Sequence, residues 1–310
     1  MKKIILSLAL LLTVSISAFA QTFNYKDIDY KILSETDNTV EVFSGMSFNG
    51  SELIIPEKVI NESVPKEYTV TGICFQAFTN NANIISVSIP ATMKTIADFA
   101  FQNCGKLTSL TFEGESQLKQ ISLQAFYNTV LTTIDIPASV TSIGTLAFGE
   151  NRALQQVYMH LDDPSGYSSD AFSYCTDVVI YAPAASYEAY KSKFAKNKVE
   201  VELTEWKTYA ENKIEEGLNA LNTLSDEDRK YVNECLSNIT TAVTFDAAYA
   251  AFENAMPIID AQINLEKKLT DAIGIFATRK NGPTIEIRAN DGTTIKLYNI
   301  EKVNFGKQGE

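Results

Sequence analysis

His160 is the only histidine in the chain, and Cys74, Cys104, Cys175 and Cys235 are its only thiols. A Ser–His or Cys–His nucleophile would have to use that one imidazole, and no G-x-S-x-G turn surrounds any serine. Clusters of histidines around a metal are ruled out by the count, and C-x-x-C is absent. Neither Gly-rich phosphate loop occurs. Asp162 and Asp163 are adjacent carboxylates, the residue type that glycosidases use in pairs. Their setting, Asp162-Asp163-Pro164-Ser165-Gly166, reads as a turn-rich insert that bulges outward with solvated carboxylates. Asn290-Asp291-Gly292 touches a calcium-loop pattern but lacks the alternating acidic ligands. The sequence therefore assigns no catalytic, cofactor-binding or metal-binding residue and reads as non-enzymatic, with no cofactor.

The elements that would position any site are set by a repeat. Ala77-Phe78, Ala100-Phe101, Ala125-Phe126, Ala147-Phe148 and Ala171-Phe172 recur at intervals of 23, 25, 22 and 24 residues. A period of that length means stacked coils of a solenoid. Counted from Phe101, apolar residues follow at Leu107, Leu110 and Phe112; from Phe78, at Ile84, Val87 and Ile89; from Phe148, at Leu154, Val157 and Met159. The third unit is one residue short, giving Leu131, Ile134 and Ile136. The last two apolar positions alternate with polar residues, so each coil contributes a short strand with one face inside. Pro90 and Pro137 end two of these strands. Ile73, Ile96, Ile121 and Ile143 mark a second extended segment before each Ala-Phe turn. Phe112-Glu113-Gly114 lacks the proline and lengthens its coil.

This pattern resembles the BspA-type leucine-rich repeat family. The words Val140-Thr141-Ser142-Ile143-Gly144-Thr145-Leu146-Ala147-Phe148 and Leu107-Thr108-Ser109-Leu110-Thr111-Phe112 are similar to family repeats almost letter for letter, and the likeness covers about residues 50–190. Tyr30-Lys31-Ile32 through Ile54-Ile55-Pro56 resembles the family's N-terminal cap, and Tyr181-Ala182-Pro183 with Tyr187 and Tyr190 its terminating unit. The resemblance implies a leucine-rich repeat solenoid of short β-strands and turns. It further implies an exported protein of Bacteroidetes type, with cell-surface adhesion and binding of host matrix proteins.

Met1-Lys2-Lys3, an apolar run from Ile4 to Leu12 and Ala18-Phe19-Ala20 predict a signal peptide cleaved after Ala20. The apolar run is too short for a membrane span. Expected locations are the cell surface, the periplasm or the medium. The net charge of −12 disfavours nucleic acid and anionic lipid as partners. Cys104 and Cys175 share one repeat phase but lie three coils apart, about 14 Å at ~4.8 Å per strand. A disulfide needs Cα atoms within roughly 7 Å, so no bridge is expected. Both read as small buried hydrophobes, with Asn81 and Asn151 at the same phase.

The boundaries that follow are a signal peptide at 1–20, an N-terminal cap at 21–70, the solenoid with its C-terminal cap at 71–203, a small α-helical bundle at 204–281 and a C-terminal β module at 282–310. Trp206, Tyr209, Ile214, Leu218, Leu221 and Leu224 suit one amphipathic helix. Ser225 caps the next helix, which presents Val232, Cys235, Leu236 and Ile239. Phe245, Tyr249, Phe252, Met256, Ile259 and Ile263 form a third stripe, read as core rather than a cofactor box, with a kink or a restart expected at Pro257. In the last segment a three-residue loop, Asn290-Asp291-Gly292, pairs Ile287 with Ile295 and Ile285 with Leu297 as a β-hairpin, and Lys302 to Phe305 could add a third strand.

What remains for function is surface. The outward positions of the strands are Ser86 and Ser88, Ser109 and Thr111, Thr133 and Asp135, Gln156 and Tyr158. They suit recognition of an extended protein or glycan, although serine and threonine are also ordinary solvent-facing strand residues. Tyr158 with His160 is the nearest thing to an anchor. The expected partner is a host matrix or envelope protein, or a glycan. An envelope scaffold without a host ligand is the rival, and the oligomeric state is open.

Overall fold

The structure is a computed structural model and describes residues 22–273, 285–288 and 294–297. The expected signal peptide, the loop at 290–292 and the possible strand at 302–305 lie outside the described residues. The chain divides after Glu200 into two compact units.

The first unit opens with β1 (Thr22–Tyr25) and β2 (Ile28–Ser34), an antiparallel pair. Lys26 and Asp27 between them both have positive φ (52° and 63°), as a two-residue turn matched to strand twist requires. β3 (Thr39–Ser44) pairs antiparallel with β2. After β4 (Glu52–Ile54) and β5 (Lys58–Asn61) comes β6 (Lys66–Ile73), antiparallel to β5 but parallel to β3. That change of pairing converts a meander into the first coil. Tyr30 and Tyr68 are buried in this cap, and both lie against Phe23 at 5.9 and 5.8 Å.

The following coils alternate longer and shorter strands: β7 (Ser86–Ile89), β8 (Thr95–Ile96), β9 (Ser109–Phe112), β10 (Gln120–Ile121), β11 (Thr133–Ile136), β12 (Ser142–Ile143) and β13 (Gln156–Met159). The short strands extend β6 as a parallel ladder with Ile73, Ile96, Ile121 and Ile143 in register, all buried. Val87, Ile89, Leu110, Ile134, Ile136, Val157 and Met159 point inward from the longer strands, as their period-2 pattern predicts.

A third side is built by the Ala-Phe turns. Phe78, Phe101, Phe126 and Phe148 donate their N–H groups to the carbonyls of Ala100, Ala125, Ala147 and Ala171 on the next coil, at 2.7–2.9 Å. The strand side bonds in the opposite sense, as when Thr108 N–H donates to Ile85 O at 2.9 Å. The five phenylalanine rings stack in one column, with centroids 5.0, 5.1, 5.3 and 5.5 Å apart and planes within 7°. The alanines are buried and leave the column its room. Left-handed residues stand two before the phenylalanine in the first four turns (Gln76, Phe99, Gln124 and Leu146) and two after it in all five (Asn80, Asn103, Asn128, Glu150 and Tyr174). None is glycine. Asparagine tolerates this conformation best, and the three asparagines also hydrogen-bond one another, Asn103 Nδ2 to Asn80 Oδ1 at 3.0 Å and Asn128 Nδ2 to Asn103 Oδ1 at 2.9 Å.

The longer strands do not form one continuous sheet. β4, β7 and β9 make one panel; β11, β13, β14 (Val179–Tyr181) and β15 (Lys198–Glu200) make another. The break falls at the one-residue-short coil. There Val130, the residue before Leu131, donates to Leu107 O at 3.1 Å, whereas Thr108, the residue after Leu107, makes the equivalent bond to Ile85. Losing one residue shifts the donor phase while leaving the inward side chains in place.

Two local expectations are corrected. Phe112 is only half-buried, because its strand runs into Glu113-Gly114, where Gly114 has φ 52°. The insert at 162–166 does not bulge outward. Pro164–Gly166 form a 3-10 turn capped by Asp163, whose side chain accepts from Ser165 N–H. Pro164 is buried, and a Cβ on Gly166 would lie 2.1 Å from Thr141 O, so the turn packs on the preceding coil. Tyr167 follows, buried, and donates to Val140 O at 2.8 Å. The array closes with α1 (Tyr187–Lys193). Phe194, just after it, sets its ring at 62° to Phe172 and so ends the parallel column.

In the second unit α2 (Leu203–Ala220) stops before Leu221, which is already extended. The stripe expected to run to Leu224 is therefore cut by one turn of non-helical chain. α3 (Asp226–Thr241) begins as expected, with Ser225 Oγ accepting from Asp228 N–H at 3.0 Å. α4 (Phe245–Ile273) runs through Pro257 as one helix, without a restart. Its most buried line is Phe245, Ala248, Ala251, Ala255 and Ile259. Tyr249 and Phe252 stand beside that line and, with Phe245, each contact the Trp206 ring at 5.4 Å. The aromatic part of the stripe thus packs around the buried Trp206, with Tyr249 and Phe252 half-buried. β16 (Ile285–Arg288) and β17 (Thr294–Leu297) pair Ile285 with Leu297 and Ile287 with Ile295, the register that the three-residue loop predicts.

Candidate functional site

Parallel pairing places the outward side chains of the solenoid strands in rows. On the first panel Glu52, Ser86 and Ser109 are neighbours, and Ile54, Ser88 and Thr111 form the next row. On the second panel the rows are Thr133, Gln156, Val179 and Lys198, and Asp135, Tyr158, Tyr181 and Glu200. The structure thus brings the eight sequence-derived positions together in two groups of four, on separate panels. Hydroxyls of the first panel are partly used within it: Thr111 Oγ1 donates to Val87 O at 3.3 Å, and Ser88 Oγ donates to Glu113.

The second panel carries the stronger chemistry. Tyr158 and Tyr181 stack at 4.9 Å with planes 11° apart. His160 Nε2 meets Asp135 Oδ1 at 2.6 Å across the coil boundary, and both side chains are largely exposed. Lys198 bridges Glu200 at the other end. Tyr181 and Glu200 are absent from the sequence-derived set. Counted from Phe172, β14 starts one residue early, so its outward tyrosine falls out of phase with Tyr158. The alternation Val179-Ile180-Tyr181 is the signal that would have found it.

The Cys/Asn phase after each phenylalanine has a role that sequence reasoning missed. Cys104 Sγ donates to Phe78 O and Cys175 Sγ to Phe148 O, both at 3.2 Å. Asn151, fully buried, donates through Nδ2 to Phe126 O at 2.8 Å and Phe148 O at 2.9 Å and meets Thr129 through Oδ1. These side chains are donors to carbonyls that the coil leaves over, not simple hydrophobes. All four cysteines are free thiols. Burial pushes Cys104 up to about 12 and Cys175 up to about 11. At pH 8 the native protein should therefore alkylate slowly at Cys104 and Cys175, with Cys74 ahead of them, while unreduced denatured protein labels at all four. Peptide mapping checks this, and rapid native labelling of Cys104 would contradict the buried-donor role.

Elsewhere the surface offers less. Leu146, Asp170, Tyr174 and Lys196 line a half-open depression of about 420 Å³. Its charges serve each other: Lys196 Nζ donates to Asp170 Oδ1 at 2.9 Å and holds that carboxyl below its ordinary range. Among the described residues no group of three or more His, Cys, Asp or Glu side chains is placed to hold a metal ion, and no helix is long and apolar enough to cross a membrane.

Comparison with known proteins adds the following. A leucine-rich repeat protein from Bacteroides capillosus is 28% identical, over 45% of this chain and 98% of that one, with a TM-score of 0.39. One from Bacteroides ovatus is 25% identical, over 52% of this chain and 47% of that one, at 0.38. The pneumococcal vaccine antigen PcpA is 24% identical, over 54% and 42%, at 0.39. The chain spans a little under half the length of the latter two. No curated protein matches it. The model of the BspA type leucine rich repeat region matches residues 71–200 in six copies, over the coils described above. Over residues 71–200 the chain is thus similar to the BspA-type leucine-rich repeat region.

Proposed function

We propose that this chain is an exported, non-enzymatic binding protein that recognises a protein ligand at the bacterial surface through the outward face of its longer strands. The observation that carries the reading is the second panel. A row of four outward side chains, two of them stacked tyrosines, stands on four hydrogen-bonded parallel strands. Side chains on such a ladder are fixed before any ligand arrives, which lowers the ordering cost of binding. Tyrosine supplies large, rigid, amphipathic contact area. The repeat family supports a recognition role, because solenoids offer long regular surfaces.

The test is a binding screen of the intact chain against matrix and envelope proteins, repeated with Thr111→Arg and Thr133→Arg. Both threonines are exposed and outward, so the folded state should persist with an unchanged melting curve. Thr133→Arg is expected to weaken binding at least tenfold, by steric and charge conflict beside the tyrosine row. Binding that survives both substitutions would move the site off the strands. Protease shaving of intact cells tests the surface location, and protection from shaving would argue for the periplasm.

A further inference from the structure

We propose that the segment recognised by the second panel is cationic: an extended stretch of polypeptide with lysine or arginine at alternate positions, laid along the row Asp135, Tyr158, Tyr181 and Glu200. This rests on the strand-face reading above and adds the chemistry of the partner. Parallel register sets the four residues on successive strands, so the row spans about 14 Å at ~4.8 Å per step. The tyrosine rings stack on each other, so each gives one face to its neighbour. By register their remaining faces look along the row, towards Asp135 on one side and Glu200 on the other. The panel presents two half-buried tyrosines between two carboxylates. A sugar ring stacks on an aromatic face, whereas here each tyrosine gives one face to the other. Ammonium and guanidinium groups want what the row offers, namely oxygen acceptors in a line.

One end of the row is already paired with a cation from the adjacent row. Lys198 lies on the same panel and pairs with Glu200, which shows an ammonium seated at that end. At the other end the Asp135 side chain is 73% exposed, and its carboxylate meets the imidazole of His160. An extended segment places alternate side chains ~7 Å apart, so two cations fit between Asp135 and the tyrosine hydroxyls without meeting Lys198. Thr133 and Gln156, in the adjacent row, stand where they can bond the backbone of such a segment. The net charge of −12 draws a basic partner from a distance.

The experiment is calorimetric titration of the full chain with a (Lys-Ser)4 peptide, with (Gln-Ser)4 and (Glu-Ser)4 as controls, at low and high salt. Binding is expected for the lysine peptide alone, and it should weaken as salt rises. Asp135→Asn should weaken it about tenfold, the loss of one charge-assisted hydrogen bond. Tyr158→Phe should weaken it several-fold, and Glu62→Gln, an equal charge change in an exposed turn of the N-terminal cap, should leave it unchanged. No binding of the lysine peptide, or equal weakening by Glu62→Gln, overturns the proposal. If Thr133→Arg abolishes capture of a protein ligand while the lysine peptide fails to bind, the cationic chemistry is wrong and the strand-face reading stands. If Thr133→Arg leaves capture intact, the second panel is not the site and this proposal fails; if Thr111→Arg leaves it intact as well, the strand-face reading fails with it.

Discussion

Phe126→Ala is expected to lower the unfolding free energy by about 4 kcal/mol, in the range for a fully buried phenylalanine cut to alanine. The ring is the centre of the five-ring column and stacks on Phe101 at 5.1 Å and on Phe148 at 5.3 Å. Removing it deprives both neighbours of a partner face and leaves a cavity that the rigid turns on either side cannot close. Its place along the array makes the loss worse. Phe126 belongs to the coil where the longer strands are unpaired between β9 and β11. Continuity there is carried by the short ladder through β10, by the turn bonds from Phe101 N–H to Ala125 O and Phe126 N–H to Ala147 O, by the single bond from Val130 N–H to Leu107 O on the strand side, and by the column itself. Solenoid stability is close to a sum of coil and neighbour terms, so the weakest junction governs where the array parts. Phe126→Ala should therefore cost more than Phe101→Ala, whose coil keeps strand pairing between β7 and β9. Urea unfolding followed by far-UV circular dichroism measures both. Limited proteolysis of the Phe126 variant should cut first near the β9–β11 junction. Equal losses at the two sites would mean that the sheet break has no energetic weight.

That junction also shows how far the sequence could be read. The spacing from each Ala-Phe pair to the next apolar residues located the inward side chains, because burial has a period and a deletion of one residue is visible in it. Hydrogen-bond register has no such mark. The short third unit keeps Leu131, Ile134 and Ile136 inside while moving the donor to Val130, so the same deletion that was legible as a count broke a sheet that was not. Left-handed residues were hidden for a related reason. Such positions are usually recognised by glycine, and here Gln76, Phe99, Gln124 and Leu146 hold them, locked by bonds between coils. In α4 the aromatic stripe drew attention away from Ala248, Ala251 and Ala255, which are more deeply buried because a small side chain permits close helix approach. Of the candidate site, Asp135 and Tyr158 were legible from alternation alone. Their combination with Tyr181 and Glu200 needed the register of strands whose starts vary by one residue.

Gly45→Ala is expected to destabilise the protein by about 3 kcal/mol, the upper end for overpacking a well-filled core. Gly45 is where the N-terminal cap meets the phenylalanine column. A Cβ there would lie 1.8 Å from Phe78 Cε1 and 2.2 Å from Cδ1. Neither side has room to yield. Phe78 is buried and its far face rests on Phe101 at 5.0 Å, so the ring cannot retreat without disturbing the column. The glycine cannot swing out either, because its N–H donates to Ala77 O at 2.8 Å, and that bond attaches the cap to the first turn. The glycine is needed for close approach and not for an unusual φ, since Gly114 is the only glycine with positive φ among the described residues. Gly105→Ala is the matched control: nothing lies within 4 Å of a Cβ there, and the change should be neutral or slightly stabilising through the unfolded state. An array without its cap exposes core and strand edges together, so Gly45→Ala should fray from the N-terminal end, where Phe126→Ala parts the middle. Hydrogen exchange distinguishes the two. Protection should fall first in β2, β3 and β6 for Gly45→Ala, with the panel bearing Tyr158 and Tyr181 still protected and still competent to bind. If the cap and that panel lose protection together, the array unfolds as one cooperative block, and the column does not act as a chain of separable contacts.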